Sequence, residues 1–471
     1  MKIFSAALFV IISLLLIIPS QKNYAQENNS NYDFVLSLNQ CIEKTIQNHN
    51  SRAASNFAVQ AAEAQLKQAR SGKYPQVDLS ASYTLMDQDP NFIQPALNIS
   101  LPSIDLGAYS LSLPPFTFPA QNIKMADKQM LNSSIDVLYP LFTGGKISSL
   151  VSQAEAGLDA AKEDSRATDA EIIFQTKKLY YAVILATKLE EIATEAYERL
   201  NSTLSLTESL YQKGSGKVTK SDYLKNKTMV EAIKSFVAQI SGEQRIALAA
   251  LVNVMGLEWQ VKVKLSENEI PLIVNGLSLD ELINAAVQSN PMIAKVGNGL
   301  KAYVSKIDEA KSDYYPSVAL FGSYRKIISP YDAGIMTPEN KNIWMVGLGI
   351  QLSIFNGYRT SGMVDEATAN YKRLTEQKEL LRKGITLKIQ YLYNKMVAAK
   401  EREAASKEAM MSSSEDRDLV EKAYFSDIME LKDLMQAQIT ESIMKAQYQL
   451  IRYEGSQFEA ELQLVFANEN H

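Results

Sequence analysis

The sequence predicts a mainly α-helical chain with a transmembrane β part, assembled from two copies of one plan. Three observations predict it: a tandem duplication, four runs of about ten residues of alternating character, and two helical runs too long for a compact domain. The duplication is ungapped between residues 36–83 and 277–324, a shift of 241 that pairs Ala69 with Ala310 and Tyr74-Pro75 with Tyr315-Pro316. Further on, Leu141-Phe142-Thr143-Gly144 pairs with Ile354-Phe355-Asn356-Gly357 at a shift of 213. The first copy therefore carries 28 more residues (241 − 213) between its strands. Each copy reads helix, strand, loop, strand, long helix, turn, helix. The first repeat occupies residues 26–257 and the second 277–471, with a linker over 258–276.

The chain opens Met1-Lys2, runs apolar from residue 3 to 18, and reaches Ala25 after Pro19, the pattern of a secretory signal peptide over 1–25. Gln26 stands where a lipoprotein needs cysteine. Residues 26–33 are polar and asparagine-rich, the composition of a disordered segment. Ser37 is placed to cap a first helix running to about Arg70, and Ser278 with Glu281 forms a capping-box pattern at the start of its counterpart. In both copies the helical period gives way to a period of two at Tyr-Pro, where proline removes a donor and disfavours helix at the residue before it.

The strands are expected at 77–86, 133–142, 317–326 and 344–355. One face of the first holds Val77, Leu79, Tyr83 and Leu85, the other Asp78, Ser80, Ser82 and Thr84. The last alternates Trp344, Val346, Leu348, Ile350 with Gly347, Gly349, Gln351. This is the length and pattern of tilted strands crossing an outer membrane; the alternative is a half-buried sheet in water. Four strands cannot close a barrel in lipid, because open edges leave amide groups unpaired. Three chains would supply twelve strands around a closed axis. The loop over 87–127 holds six prolines and is expected to lack regular structure, with 327–342 as its shorter counterpart. Long helices follow over 146–212 and 359–425, each about 100 Å. They turn back to complete hairpins 146–255 and 359–466, and residues 260–265 alternate like a short exposed strand.

Composition excludes several functions. The net charge of −5 becomes −7 without Lys2 and Lys22, which argues against a nucleic-acid partner. One cysteine, Cys41, rules out a disulfide scaffold. His49 and His471 are the only histidines, so no metal-ligand spacing exists and no metal or cofactor is expected. Gly214, Gly216 and Lys217 lack the spacing of a phosphate loop and read as helix-ending residues. No nucleophile–base pair is present, so an enzyme is not expected.

The doubled helix–Tyr-Pro–strand unit resembles the TolC family of outer-membrane efflux proteins over nearly all of the mature chain. So do the Phe142–Lys146 and Phe355–Arg359 sites and the tip patterns Tyr211 to Leu224 and Tyr424 to Gln438. Asp427 stands where the family usually has glycine, and the first tip is two residues longer. The resemblance implies a homotrimer in the cell outer membrane: four strands per chain in a twelve-stranded barrel, continued by a twelve-helix tunnel into the periplasm. It implies a passive exit duct in tripartite efflux or type I secretion, met by a periplasmic adaptor protein and an inner-membrane RND or ABC-type pump. By position, Asp433 would form a ring at the periplasmic gate, with Tyr424 in the closing network and Asp222 as counterpart; a second acidic layer falls on Gln436. Gly216, Lys217, Val218 and Thr219, with Asp427, Ile428, Met429 and Glu430, would be the adaptor-docking tips. The other reading is a periplasmic or cell-surface coiled-coil structural protein without a pore.

Overall fold

The computed structural model describes residues 34–105, 107–214, 216, 218–271, 278–333 and 337–467. The expected signal peptide over 1–25, the polar segment over 26–33 and Lys217 lie outside the described residues. In chain order the first repeat holds β1 (Phe34–Leu36), α1 (Leu38–Asn48), α2 (Asn50–Ser71), β2 (Gln76–Leu85), a ribbon of six short strands β3–β8, β9 (Gln129–Phe142), α3 (Lys146–Gln212) and α4 (Lys220–Val254). After β10 (Val263–Leu265) come α5 (Leu279–Ser289), α6 (Pro291–Ser312), β11 (Ser317–Ile328), the single turn α7 (Pro338–Lys341), β12 (Asn342–Gln351), α8 (Arg359–Phe425) and α9 (Leu431–Phe466).

The first helix of each repeat is two helices, not one. Ser37 caps α1 in a full capping box with Gln40, but the chain leaves helical geometry at His49 (φ −71°, ψ 124°), whose Nδ1 accepts from the Ser51 amide at 3.1 Å. Asn290 breaks the second copy at the matching position, its Oδ1 accepting from Met292 and Ile293. Pro291 forces that break, since the residue before proline avoids helix, and each break residue offers a side-chain acceptor to the next helix.

Pro75 and Pro316 end the helical segments, and β2 and β11 begin at the next residue. The sheet runs β12-β11-β9-β2, antiparallel throughout. Its register sets Leu79, Ile135, Tyr324 and Trp344 in one row across all four strands, and Asp78, Asp136, Ser323 and Met345 in the row beside it. The apolar row is uncovered: Leu79 is 78% and Trp344 75% exposed. None of the long helices packs on this sheet. The strand expected to 355 stops at Gln351, which pairs with Ser317. Pro316 precedes Ser317, so β11 offers no ladder beyond it.

The loop over 87–127 is more ordered than its prolines promise. It is a ribbon of three antiparallel ladders: β3 (Asn91–Gln94) with β8 (Gln121–Lys124), β4 (Leu97–Ile99) with β7 (Phe116–Phe118), and β5 (Ile104–Asp105) with β6 (Ser110–Leu111). All six prolines fall between ladders, where no amide donor is required. The strand expected over 260–265 shrinks to β10, which pairs in parallel with β1 and buries Val263.

Both long helices have the expected bounds, 67 residues each. Near mid-length each meets a belt of core residues. Around α3 this joins Leu36, Cys41, Tyr180, Ile184, Leu251 and Met255; around α8 it joins Leu282, Ala286, Ile389, Leu392 and Leu462. On the strand side of the belt, α2 and α6 accompany α3, through Arg52–Asp169 and Arg70–Glu155 and through Lys295–Asp164 and Lys146–Asp313. Beyond the belt, α4 and α9 take their place. Four helices therefore cross at either level. No helix among the described residues is long and apolar enough to cross a membrane.

Candidate functional site

The far ends of the two hairpins carry the candidate site. The first turn closes at Gly214 (φ +65°), whose amide donates to Tyr211 O at 3.1 Å, and Gly216 is again left-handed (φ +69°). Thr219 then caps α4: its hydroxyl accepts from the Asp222 amide, while Asp222 Oδ2 accepts from the Thr219 amide at 3.1 Å and hydroxyl at 2.7 Å. Those hydrogen bonds from Thr219 hold the Asp222 carboxyl below its ordinary pKa. Tyr211 and Tyr223 stack across the hairpin with ring centroids 5.8 Å apart.

The second turn is tighter. Asp427 takes the left-handed conformation (φ +58°) in the position usually given to glycine, and the chain ends α8 with Ile428 N to Ala423 O at 2.9 Å and Asp427 N to Tyr424 O at 3.1 Å. This is the six-to-one and five-to-two bonding of a helix C-terminus closed by a left-handed residue, a conformation aspartate tolerates better than most side chains. Glu430 and Asp433 form the next capping box, with Asp433 Oδ2 accepting from the Glu430 amide at 3.3 Å. Tyr424 packs against Val420, Leu434 and Ala437. Ile428 is 77% exposed.

A cleft of about 1370 Å³ lies between the two hairpin ends. Val218, Asp222, Tyr424, Asp427, Met429 and Glu430 line it, so the structure brings these predicted residues of both tips to one place. Gly216, Thr219, Ile428 and Asp433 stand at the turns and caps outside that lining. The lining is mixed: Leu210, Leu224, Met435 and Ile439 supply apolar surface, and Lys225 and Lys432 add cationic groups to Asp222 and Glu430. Such a concave, amphipathic surface has the character of a groove that accommodates a helix.

Sequence reasoning missed the charged cluster just behind this cleft. Glu441 is buried, 2% exposed. Its Oε2 accepts from Arg199 Nη1 at 2.7 Å and Arg417 Nε at 3.0 Å. Its Oε1 accepts from Ser414 Oγ at 3.0 Å, Lys445 Nζ at 3.0 Å and Arg417 Nη2 at 3.2 Å. Glu195 joins Arg199 and also Lys445. Burial works to raise the Glu441 pKa, but the hydrogen bonds from Lys445, Arg417 and Ser414 outweigh it and hold the carboxyl below the ordinary range. One signal pointed here: Glu441 lies seven residues from Leu434 and seven from Tyr448, a charge on a core position of a helical seam.

Residues 41–257 and 282–468 match the sequence model of the family described as outer membrane efflux protein. Among curated proteins, CyaE of Bordetella pertussis is 23% identical over 242 residues, 51% of this chain and 50% of that one. The chain thus matches about half the length of that relative. Among solved structures, the CmeC outer membrane channel of Campylobacter jejuni has a TM-score of 0.73 at 16% identity, covering 94% of this chain and 90% of that one. The outer membrane protein VceC of Vibrio cholerae has a TM-score of 0.71 at 17% identity, covering 92% and 96%. At such identities the likeness is one of fold.

Proposed function

The chain belongs to the outer membrane efflux protein family, and from that premise we propose that it is the passive outer-membrane exit duct of a tripartite efflux or type I secretion assembly. The observation that carries the reading is the sheet: both edges are open, its apolar face is uncovered, and it runs straight into helices of about 100 Å. An uncovered apolar face with unpaired edges is stable in lipid only as part of a closed barrel. Three copies bring twelve strands, β2 of one chain pairing with β12 of the next, and the four helices crossing at each level become a twelve-helix tunnel. Lipid of the outer membrane covers the row of Leu79, Ile135, Tyr324 and Trp344.

In this reading the hairpin ends are the periplasmic mouth. Three Asp433 carboxylates converge there as the gate, with Tyr424 and Asp222 in its supporting contacts. Carboxylates so crowded repel one another and attract cations. The cleft receives the periplasmic adaptor through Gly216, Lys217, Val218 and Thr219 on one tip and Asp427, Ile428, Met429 and Glu430 on the other. An inner-membrane pump of the RND or ABC type delivers the cargo.

The test is heat-modifiable migration of the purified protein as a trimer, together with single-channel conductance in planar bilayers. A detergent-dependent trimer with resolved conductance is expected. A monomer soluble without detergent and silent in bilayers would replace the duct with a coiled-coil structural protein.

A further inference from the structure

We propose that Glu441 is the positioning residue that bolts the second hairpin onto the first, and so limits how far an opening movement at the tips spreads along the tunnel wall. The functional consequence rests on the duct reading above; the bolt itself rests on geometry.

In the described chain α9 packs on both α8 and α3. Glu441 ties the three together: Arg199 comes from α3, Ser414 and Arg417 from α8, and Lys445 from α9 itself. Arg417 grips the carboxylate side-on through Nε and Nη2, a planar fork that fixes orientation as well as distance. Four of the five donors come from the neighbouring helices, and together they fix the register of α9 against α8 and α3. A slide of α9 by one helical turn, about 5.4 Å, would separate all of these cross-helix pairs. An apolar residue could fill the same space, but it would tolerate sliding; a buried, fully partnered charge does not.

The electrostatics make the carboxylate the keystone. Arg199, Arg417 and Lys445, each partly buried, meet at one corner, and the buried Glu441 is the anion that touches all three. Glu195 still pairs Arg199 and Lys445, and Asp418 and Glu421 still pair Arg417. Of those pairs Lys445–Glu195 still crosses from α9 to α3, but none joins α8 to α3. Neutralising Glu441 therefore leaves like charges facing one another across the joint.

Position gives the bolt its role. Glu441 lies eight residues beyond Asp433, about 12 Å along α9. Towards the tips, the next polar contact from α9 to α3 among the described residues is Gln438 Nε2 to Thr203 Oγ1 at 3.4 Å. There the cleft opens, lined by Leu206 on one hairpin and Ile439 on the other. Away from the tips, Lys445–Glu195 and Lys177–Gln463 carry the joint between α9 and α3 on to the belt, while Arg402–Glu454 closes the second hairpin on itself. The segment free to move is thus the last few turns of each hairpin.

The test compares wild type, Glu441→Gln and the milder Arg417→Lys as full-length protein in detergent, by amide hydrogen exchange and by single-channel recording. Glu441→Gln is expected to speed exchange over residues 418–440 and 199–212 on the order of tenfold or more. Residues 146–190 should be unchanged, and conductance should rise. Arg417→Lys, which keeps the charge and loses the fork, should fall between. Unchanged exchange near the tips in both variants overturns the proposal. So does a uniform acceleration along the whole chain, which marks a merely structural charge, or faster exchange at the tips with wild-type conductance in a conducting protein. If wild type itself does not conduct, the duct reading fails while the exchange pattern still decides the bolt.

Discussion

Asp222 and Asp433 hold the same local job, the third residue of a helix receiving the amide of its own N-cap. Thr219→Ala removes one half of the first box and should cost about 1 kcal/mol; urea unfolding in detergent measures it. Because the folded Asp222 carboxyl sits below its ordinary pKa, the stability it adds is complete above about pH 4. That stability is lost as the pH falls through the lower folded value. Asp433→Ala should raise single-channel conductance and weaken block by divalent cations, and unchanged values for both would remove Asp433 from the gate. At the other end of α3, Gly144 is left-handed (φ +60°), and a Cβ there would lie 2.6 Å from Ser312 O. Gly144→Ala should therefore cost about 1–3 kcal/mol and lower the thermal midpoint. Gly145→Ala, with nothing within 4 Å, should cost less. The sequence marked Gly144 through its repeat partner Gly357, but the clash partner lies 168 residues away (312 − 144) and no local pattern reveals it.

At the scale of elements, repetition made the long helices legible. Their ends fall at Phe-x-Gly sites and at turns, both of which occur twice. The break at His49 was not legible. Asn50 stands where its counterpart has Pro291, and the first copy alone gives an unbroken helical pattern. The ribbon over Asn91–Lys124 was misread because proline was weighed by number, while its spacing left each ladder free of it. Paired Leu97–Phe118 and Ile99–Phe116 flank Asn98–Thr117, so β4 and β7 have one apolar and one polar face. The ribbon ladders contact little beyond themselves. Replacing residues 91–124 by a short turn should leave the sheet, the trimer and a conductance at least equal to wild type. Loss of the heat-modifiable trimer would place the ribbon in the assembly. The Glu441 cluster stayed hidden for a different reason: the heptad spacing marks Glu441 alone, while its partners span residues 195–445 and pairing at such separations leaves no trace in the sequence.

For the whole molecule, the four strands of the main sheet were readable, and the proposal of further chains was built on them; the belt was not. Its core residues are scattered through both ends of each repeat, from Leu36 to Ile270 and from Leu282 to Leu462. Only folding shows that they meet at one height. The two repeats stay close copies through their long helices and diverge at the ends. One carries the ribbon, and its inner turn runs from Lys213 to Thr219, while the other turns between Ser426 and Glu430. A ring built from three such chains presents six knuckles of two alternating shapes. On the proposed trimer, a companion of sixfold design would not meet all six alike and would bind as three pairs, each pair holding one long knuckle and one short.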